Sequence, residues 1–323
     1  MGSVSRRVGI LCSVFLSLFL LYTRNCEWGQ LRDILFGSVA TPYRYRMLGP
    51  LAIRAIMGYT AFTNPNGLTI HTANLIYIGF VYFWLLYFVF SYLRDFMWER
   101  KALLGMTLAA FGIWWNETPQ AHTWDALGLM FWIGLCHCIL ARKYAAWFFL
   151  FAVSVTNHES TLLLLPAAFL VWGRKNLWRA TALVVSAVAV WLAVKWGLKE
   201  ALHGGDLIGG CNDIDWNLIH WPDALLSFAG SWVFALFGAW RLNKERRILL
   251  WTIPVFLAAM FRFGEFDELR IFTPLLAILL PAIVEGIYVV AELIGGGLIR
   301  IAARAANNDL GASLGAMTRS ARR

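Results

Sequence analysis

The sequence predicts an all-α, polytopic membrane helix bundle, and three observations predict it. Of the 323 residues, 59% are hydrophobic and only 15% are charged, against about 45–50% and about 25% in a typical soluble domain. Mean hydropathy is +0.61, so polar residues are too scarce to cover a soluble globule. The apolar residues also gather into ten runs, several of them near the roughly 20 residues of a bilayer crossing. A soluble enzyme, a disordered chain and a fibrous repeat are excluded.

The expected spans are 8–23, 71–93, 102–116, 124–141, 144–156, 159–173, 178–197, 223–240, 247–262 and 270–289. Arg6 and Arg7 precede the first run as in a signal peptide, but no A-x-A site follows and the run ends in Tyr22-Thr23-Arg24-Asn25. It is expected to stay as an uncleaved anchor with a cytoplasmic N-terminus. Residues 1–302 then form one transmembrane domain, with a further interfacial segment at 290–305. Residues 303–323 form a small, basic cytoplasmic tail drawn to anionic lipid.

Alternating sides from that start places Arg6, Arg7, Arg94, Arg100, Lys101, Arg142, Lys143, Arg174, Lys175, Arg179, Arg241, Lys244, Arg246, Arg247 and the tail arginines in the cytoplasm. Every cytoplasmic segment is then basic, as the positive-inside rule requires. The net charge of +9 and pI near 9.5 are explained this way. Nucleic acid is not expected as a partner, because no nucleic-acid-binding motif is present. Most acidic residues fall on the opposite, outer side. Acids contribute little to topology, so their gathering there points to a functional face.

Four outer segments stand out. The first outer loop, 24–62, opens with Glu27–Phe36, whose apolar spacing suits an interfacial helix. It continues through Thr41-Pro42-Tyr43-Arg44-Tyr45-Arg46, where Arg offers a planar fork for phosphate or carboxylate and Tyr can stack or hydrogen-bond. The second segment is Trp114–Asp125, with Asn116, Glu117 and His122. The third is Thr156-Asn157-His158-Glu159-Ser160-Thr161, too short for a large loop, so that Glu159 sits at or below the membrane surface, where ionisable groups are costly. The fourth is Arg262-Phe263-Gly264-Glu265-Phe266-Asp267-Glu268-Leu269-Arg270. Each segment also reads as loop and helix-cap residues, since Asn116, Thr156 and Asn157 are good caps and Asp267 and Glu268 suit a helix N-terminus.

Carboxylates beside a hydroxyl can act as general bases, and Arg can hold a phosphate and stabilise charge on it. The candidate bases are Asp33, Glu117 and Glu159. The candidate substrate-binding residues are Tyr43, Arg44, Arg46, Asn116, His122, Asn157, His158, Glu265, Glu268 and Arg270, with Arg44, Arg46 and Arg270 on phosphate. Such a set fits a lipid-phosphate substrate whose tail stays in the bilayer.

The arrangement resembles the GT-C superfamily of polytopic glycosyltransferases. The likeness lies in the cytoplasmic N-terminus, the long first outer loop and the acidic outer loops. The segments Pro42–Arg46, Asn157–Ser160 and Gly264–Arg270 look like motifs of small bacterial GT-C-like proteins. The resemblance implies a polyprenyl-phosphate-linked sugar donor, a glycan, lipid or protein acceptor, and an extracytoplasmic site in a bacterial inner membrane. It also implies an acidic base in the first outer loop, where Glu27 and Asp33 are available. Neither stands in an Asp-Asp or Asp-x-Asp motif, so Glu117 and Glu159 stay open beside them. The chain lacks the large soluble outer domain of many relatives in that superfamily.

Cys12, Cys136 and Cys138 fall within spans and suit packing. Cys26 and Cys211 fall in outer loops and form a candidate disulfide. The Asn212-Asp213-Ile214-Asp215 run offers oxygen ligands without EF-hand spacing, so it reads as a flexible loop and a divalent cation stays open. No metal site is specified by Cys/His spacing. His137, near the middle of the fourth run, is expected to be a satisfied buried histidine. The absence of internal repeats and of several mid-span ionisable residues argues against the main alternative, a transporter or flippase for an anionic or lipid-linked substrate. A non-catalytic assembly subunit is the other alternative.

Overall fold

The structure is a computed structural model that describes residues 3–23, 48–58, 67–117, 125–201, 214–264, 266 and 268–296. Helix is the only regular structure among them. The helices are α1 (Ser3–Thr23), α2 (Leu48–Met57), α3 (Gly67–Arg94), α4 (Glu99–Glu117), α5 (Asp125–Ala141) and α6 (Tyr144–Ser154). A 3-10 turn, Glu159–Leu164, leads into α7 (Leu165–Gly173), followed by α8 (Leu177–Ala201) and α9 (Ile214–His220). A 3-10 segment, Trp221–Gly230, precedes α10 (Val233–Gly238), α11 (Lys244–Leu250) and α12 (Thr252–Phe263). The last helix, α13, spans Leu269–Gly296 and starts as a 3-10 turn.

Four helices are long and apolar enough to cross a membrane: α1, α3, α8 and α13. A fifth crossing arises if Ile214–Gly230 and Val233–Arg241, bent by 69° to each other, are one broken span. The ten expected segments therefore all fall on helix, but half of those helices are short or charged. α6 has 11 residues; at about 1.5 Å per residue it reaches roughly half of a bilayer core about 30 Å thick. The expected separate segment at 290–305 begins, through Gly296, as a continuation of α13.

Burial sorts the helices into layers. α13 and α3 are the core, with 67% and 56% of their apolar windows buried, whereas α8 is peripheral at 11%. α3 packs against α1, α2, α4 and α5, and α13 against α4 and α5. The outer stripe of α8, with Val185, Leu192 and Trp196, is exposed, as are Leu11, Phe15 and Leu18 of α1. Apolar faces of that extent belong against lipid rather than water. The helices are apolar nearly all round, which is how buried or membrane helices read.

Small residues let the broken span press against the core. A side chain on Gly238 would collide with the carbonyl of Ala282, and one on Gly286 with the carbonyl of Phe234. Close backbone approach through glycine is a recurring way of packing helices where lipid offers no hydrophobic drive. The kinked 3-10 segment has exposed carbonyls that lipid cannot satisfy. Trp115 Nε1 donates to the Leu226 carbonyl at 2.9 Å and Trp232 Nε1 to that of Leu225 at 2.8 Å.

Ion pairs segregate by bundle end. Lys101 pairs with Glu285, Arg142 with Glu245, Arg241 with Glu292 and His137 with Asp95, all at the basic end. Arg270 pairs with Asp125 and Glu268, and His220 with Asp223, at the other. Arg142 with Glu245, and Arg270 with Asp125 and Glu268, join residues from segments expected at the same end. His137 is a correction: it lies one turn from the end of α5, partly exposed, 3.1 Å from Asp95 and 3.4 Å from Lys143, not deep in the span. Cys136 and Cys138 are buried free thiols and Cys12 is a half-buried one.

Candidate functional site

The ends of α3, α4, α5 and α13 meet at the end opposite the basic one. Helix α4 stops at Glu117 and α5 starts at Asp125, so two acids bracket one connection. Both are buried, Glu117 at 2% and Asp125 at 8% exposure. Buried carboxylates are rare unless partnered. Tyr82 of α3 donates its hydroxyl to Glu117 Oε2 at 3.0 Å. Asp125 faces Arg270, whose Nη1 lies 3.7 Å from Oδ2.

Arg270 is the cation of the cluster, only 6% exposed. Its Nη2 donates to Glu268 at 2.7 Å, a charge-assisted bond of ordinary length. The longer Asp125 contact is an electrostatic one, beyond hydrogen-bond reach. The guanidinium is thus anchored on one side by its own strand of chain and held more loosely on the other by α5.

The loop after α6 brings in the third polar group. Asn157 is buried, and its Nδ2 lies 3.7 Å from where a side chain would begin on Gly128. Gly128 is one turn along α5 from Asp125. His158 caps the following turn: Nδ1 accepts from the Ser160 amide at 3.1 Å, as capping side chains do for orphan donors. Ser160 and Thr161 are buried beside it. The backbone of Glu159 opens that turn.

Asn116, next to Glu117, points to the broken span. Its Oδ1 accepts from the Phe228 amide at 2.8 Å. Phe228, Ala229 and Gly230 all have left-handed backbone, with φ of 57°, 53° and 71°. That conformation costs about 1–2 kcal/mol per non-glycine residue, so the contact holds a strained turn in place.

An apolar groove of about 520 Å³ begins at that turn. It lies between the broken span, α12 and α13, and Phe228 and Phe272 line it at this end. Phe228 is bonded to Asn116, and Phe272 is two residues from Arg270. The hydrogen bond from the Phe228 amide to Asn116 thus links the end of α4 to the groove lining.

Of the candidate residues, the structure brings Glu117, Asn116, Asn157, His158, Glu268 and Arg270 to this end of the bundle. Asp33, Tyr43, Arg44, Arg46, His122 and Glu265 lie outside the described residues, as do Cys26, Cys211, Asn212 and Asp213, and the side chain of Glu159. Among the described residues no three His, Cys, Asp or Glu side chains group closely enough to hold a metal ion.

Three contributors, and one buried lysine elsewhere in the bundle, carry no strong mark in the sequence. Tyr82 and Asp125 become visible only through their partners. Asn217 clamps the approach to Glu268: Nδ2 donates to the carbonyls of Phe261 (2.9 Å) and Gly264 (2.7 Å), and Oδ1 accepts from the Phe266 amide at 2.9 Å. Its signal was a polar residue inside the apolar run Trp216–Ile219. Lys195 is 2% exposed on the inner stripe of α8; a lysine in an apolar helix was the available signal. No protein-family model, curated protein or solved structure matches the chain.

Proposed function

We propose that the chain is a membrane glycosyltransferase that moves a sugar from a polyprenyl-phosphate-linked donor to an acceptor at the extracytoplasmic face. The observation that carries this reading is the buried Arg270, held by Asp125 and Glu268 at the same end of the bundle as the buried Glu117. A buried cation suits the phosphate of the donor, whose tail stays in the bilayer, and a buried carboxylate suits the acceptor hydroxyl. On this reading the ten apolar segments alternate across a bacterial inner membrane, with both termini cytoplasmic.

Glu117 would take the proton of the acceptor hydroxyl as its oxygen attacks the anomeric carbon. The bond from that carbon to the phosphate oxygen breaks, and polyprenyl phosphate leaves with the electron pair. Arg270 stabilises the charge left on the phosphate. The donor phosphate replaces Asp125, the looser of the two acidic contacts, while Glu268 keeps the guanidinium oriented. Asn157 and His158 would bind sugar hydroxyls. Asp33 and Glu159 stay as alternative bases, and Tyr43, Arg44, Arg46, His122 and Glu265 as further substrate contacts.

Mass spectrometry of lipid-linked and surface glycans tests this reading in a deletion strain. The expected result is a missing glycan, restored by the native chain but not by Glu117→Gln or Arg270→Gln. An unchanged glycan profile in the deletion strain overturns it.

A second reading rests on Lys195. A lysine buried in an apolar helix is costly and marks ion or substrate paths in transporters. Uptake or flipping of an anionic substrate that fails with Lys195→Met, without any change in glycan structure, would favour a transporter.

A further inference from the structure

The apolar groove has a second end with different chemistry. Ala239, Trp240, Leu250 and Ile253 line both it and an adjoining cavity of about 420 Å³. That second cavity is rimmed by Arg247, Trp251 and Pro254. The groove thus runs from Phe228 and Phe272, at the polar cluster, to Arg247 at the basic end.

Arg247 is the basic residue that lines this cavity, whereas Lys244 of the same helix does not. Arg241 is paired with Glu292 and Arg142 with Glu245, and the Arg246 guanidinium stacks 3.5 Å over the Phe96 ring. Arg247 is exposed and makes no ion pair among the described residues. Glu245 and Glu292, the acids nearest in sequence on these elements, are already engaged. Trp240 and Trp251, on the same rim, are 80% and 68% exposed. Exposed tryptophans of this kind sit at headgroup level in a membrane.

The bilayer decides what fills such a groove. Lipid tails are as apolar as leucine, so a chain gains little by leaving them for the protein. Any lipid chain can lie there, and selection falls on the headgroup. Arginine binds phosphate through a two-pronged fork, and the inner leaflet toward which basic ends face carries anionic lipid.

We propose that this groove is a binding site for one anionic phospholipid. Its phosphate sits on Arg247 between Trp240 and Trp251, and one acyl chain lies between the broken span and α12. The site depends on the membrane reading and not on the transferase reading. It would tie the broken span, which is bent and strained at its other end, to the lipid composition around it.

The test uses the full chain in nanodiscs of phosphatidylcholine containing a minor fraction of phosphatidylglycerol. Native mass spectrometry reads the lipid retained when the disc is stripped. The native chain is expected to keep one phosphatidylglycerol in preference to phosphatidylcholine. Arg247→Gln should lower that preference about fivefold, the effect of one basic side chain near an anionic surface. Lys175→Gln, exposed at the same end but outside the groove lining, should leave it unchanged. Ala239→Phe should fill the groove and lose both lipids, with helix content by circular dichroism unchanged. Equal loss in the two charge variants would reduce the effect to general surface attraction and overturn the site. So would equal retention of the two lipids, or an isoprenoid lipid held in place of a phospholipid in material from native membranes.

Discussion

Asn116 Oδ1 accepts a hydrogen bond from the amide of Phe228 at 2.8 Å, across 112 residues of chain. The bond joins the end of α4 to a turn in which Phe228 and Ala229 are left-handed. One contact therefore links the acid cluster to the wall of the groove. Asn116→Ala leaves a buried amide without its acceptor, which costs about 1–3 kcal/mol. Ala229 is exposed, so Ala229→Gly relieves backbone strain without opening a cavity, and its effect is neutral to stabilising. Thermal unfolding in detergent is expected to show a lowered Tm for the first variant and none for the second.

The second prediction separates chemistry from binding. If Glu117 is the base, Glu117→Gln lowers kcat by about 10²–10⁴-fold, the usual contribution of a positioned base. Tyr82→Phe removes only the hydroxyl that orients it, and lowers kcat by a smaller factor with KM little changed. Steady-state assays of sugar transfer check both. A KM effect with unchanged kcat would instead mark Glu117 as a binding group.

Arg270 lends itself to a stability test independent of any assay. Its side chain is 5% exposed, and that of Asp125 is 7% exposed. Arg270→Met leaves buried carboxylates without their cation, and breaking a buried pair in this way costs about 3–5 kcal/mol. Asp125→Asn in the same chain should recover part of that loss. A double-mutant cycle by chemical denaturation measures the coupling, expected at about 0.5–3 kcal/mol for groups in contact. Strict additivity would mean the two side chains do not sense each other.

The helices were legible in the sequence because apolar runs and basic punctuation are strong local signals. The grouping of charges was partly legible too: Arg142 pairs with Glu245 and Arg270 with Asp125 and Glu268, each set drawn from segments expected at one end. What sequence did not resolve is pairing. Glu117 stood out as an acid among tryptophans, but its partner Tyr82 sits 35 residues away in a helix full of aromatics. Asn217 has no local mark of its three bonds to the 261–266 stretch. The run 223–240 read as a single span because hydropathy does not register backbone handedness. Its break at Phe228–Gly230 depends on a tertiary acceptor, Asn116. His137 was placed too deep although the 124–141 run ends where α5 ends, because nothing local marks its pairing with Asp95.

The groove wall depends on a glycine contact that can be tested directly. Gly238 meets the backbone of α13 at Ala282 and Gly286, while Gly286 meets Phe234. No rotamer can remove a clash with backbone, so α10 must move as a whole if a side chain is added. Gly238→Val is therefore expected to cost at least the 1–3 kcal/mol typical of overpacking and to displace the broken span from α13. Gly286→Val acts on the same contact, so the double variant should cost less than the sum of the two. Gly197, in α8, has open space where a side chain would begin. Gly197→Ala should raise stability by up to about 1 kcal/mol through helix propensity alone. Unfolding midpoints of the four variants in one detergent decide the matter. If Gly238→Val unfolds like the native chain, α10 does not pack against α13 through this pair.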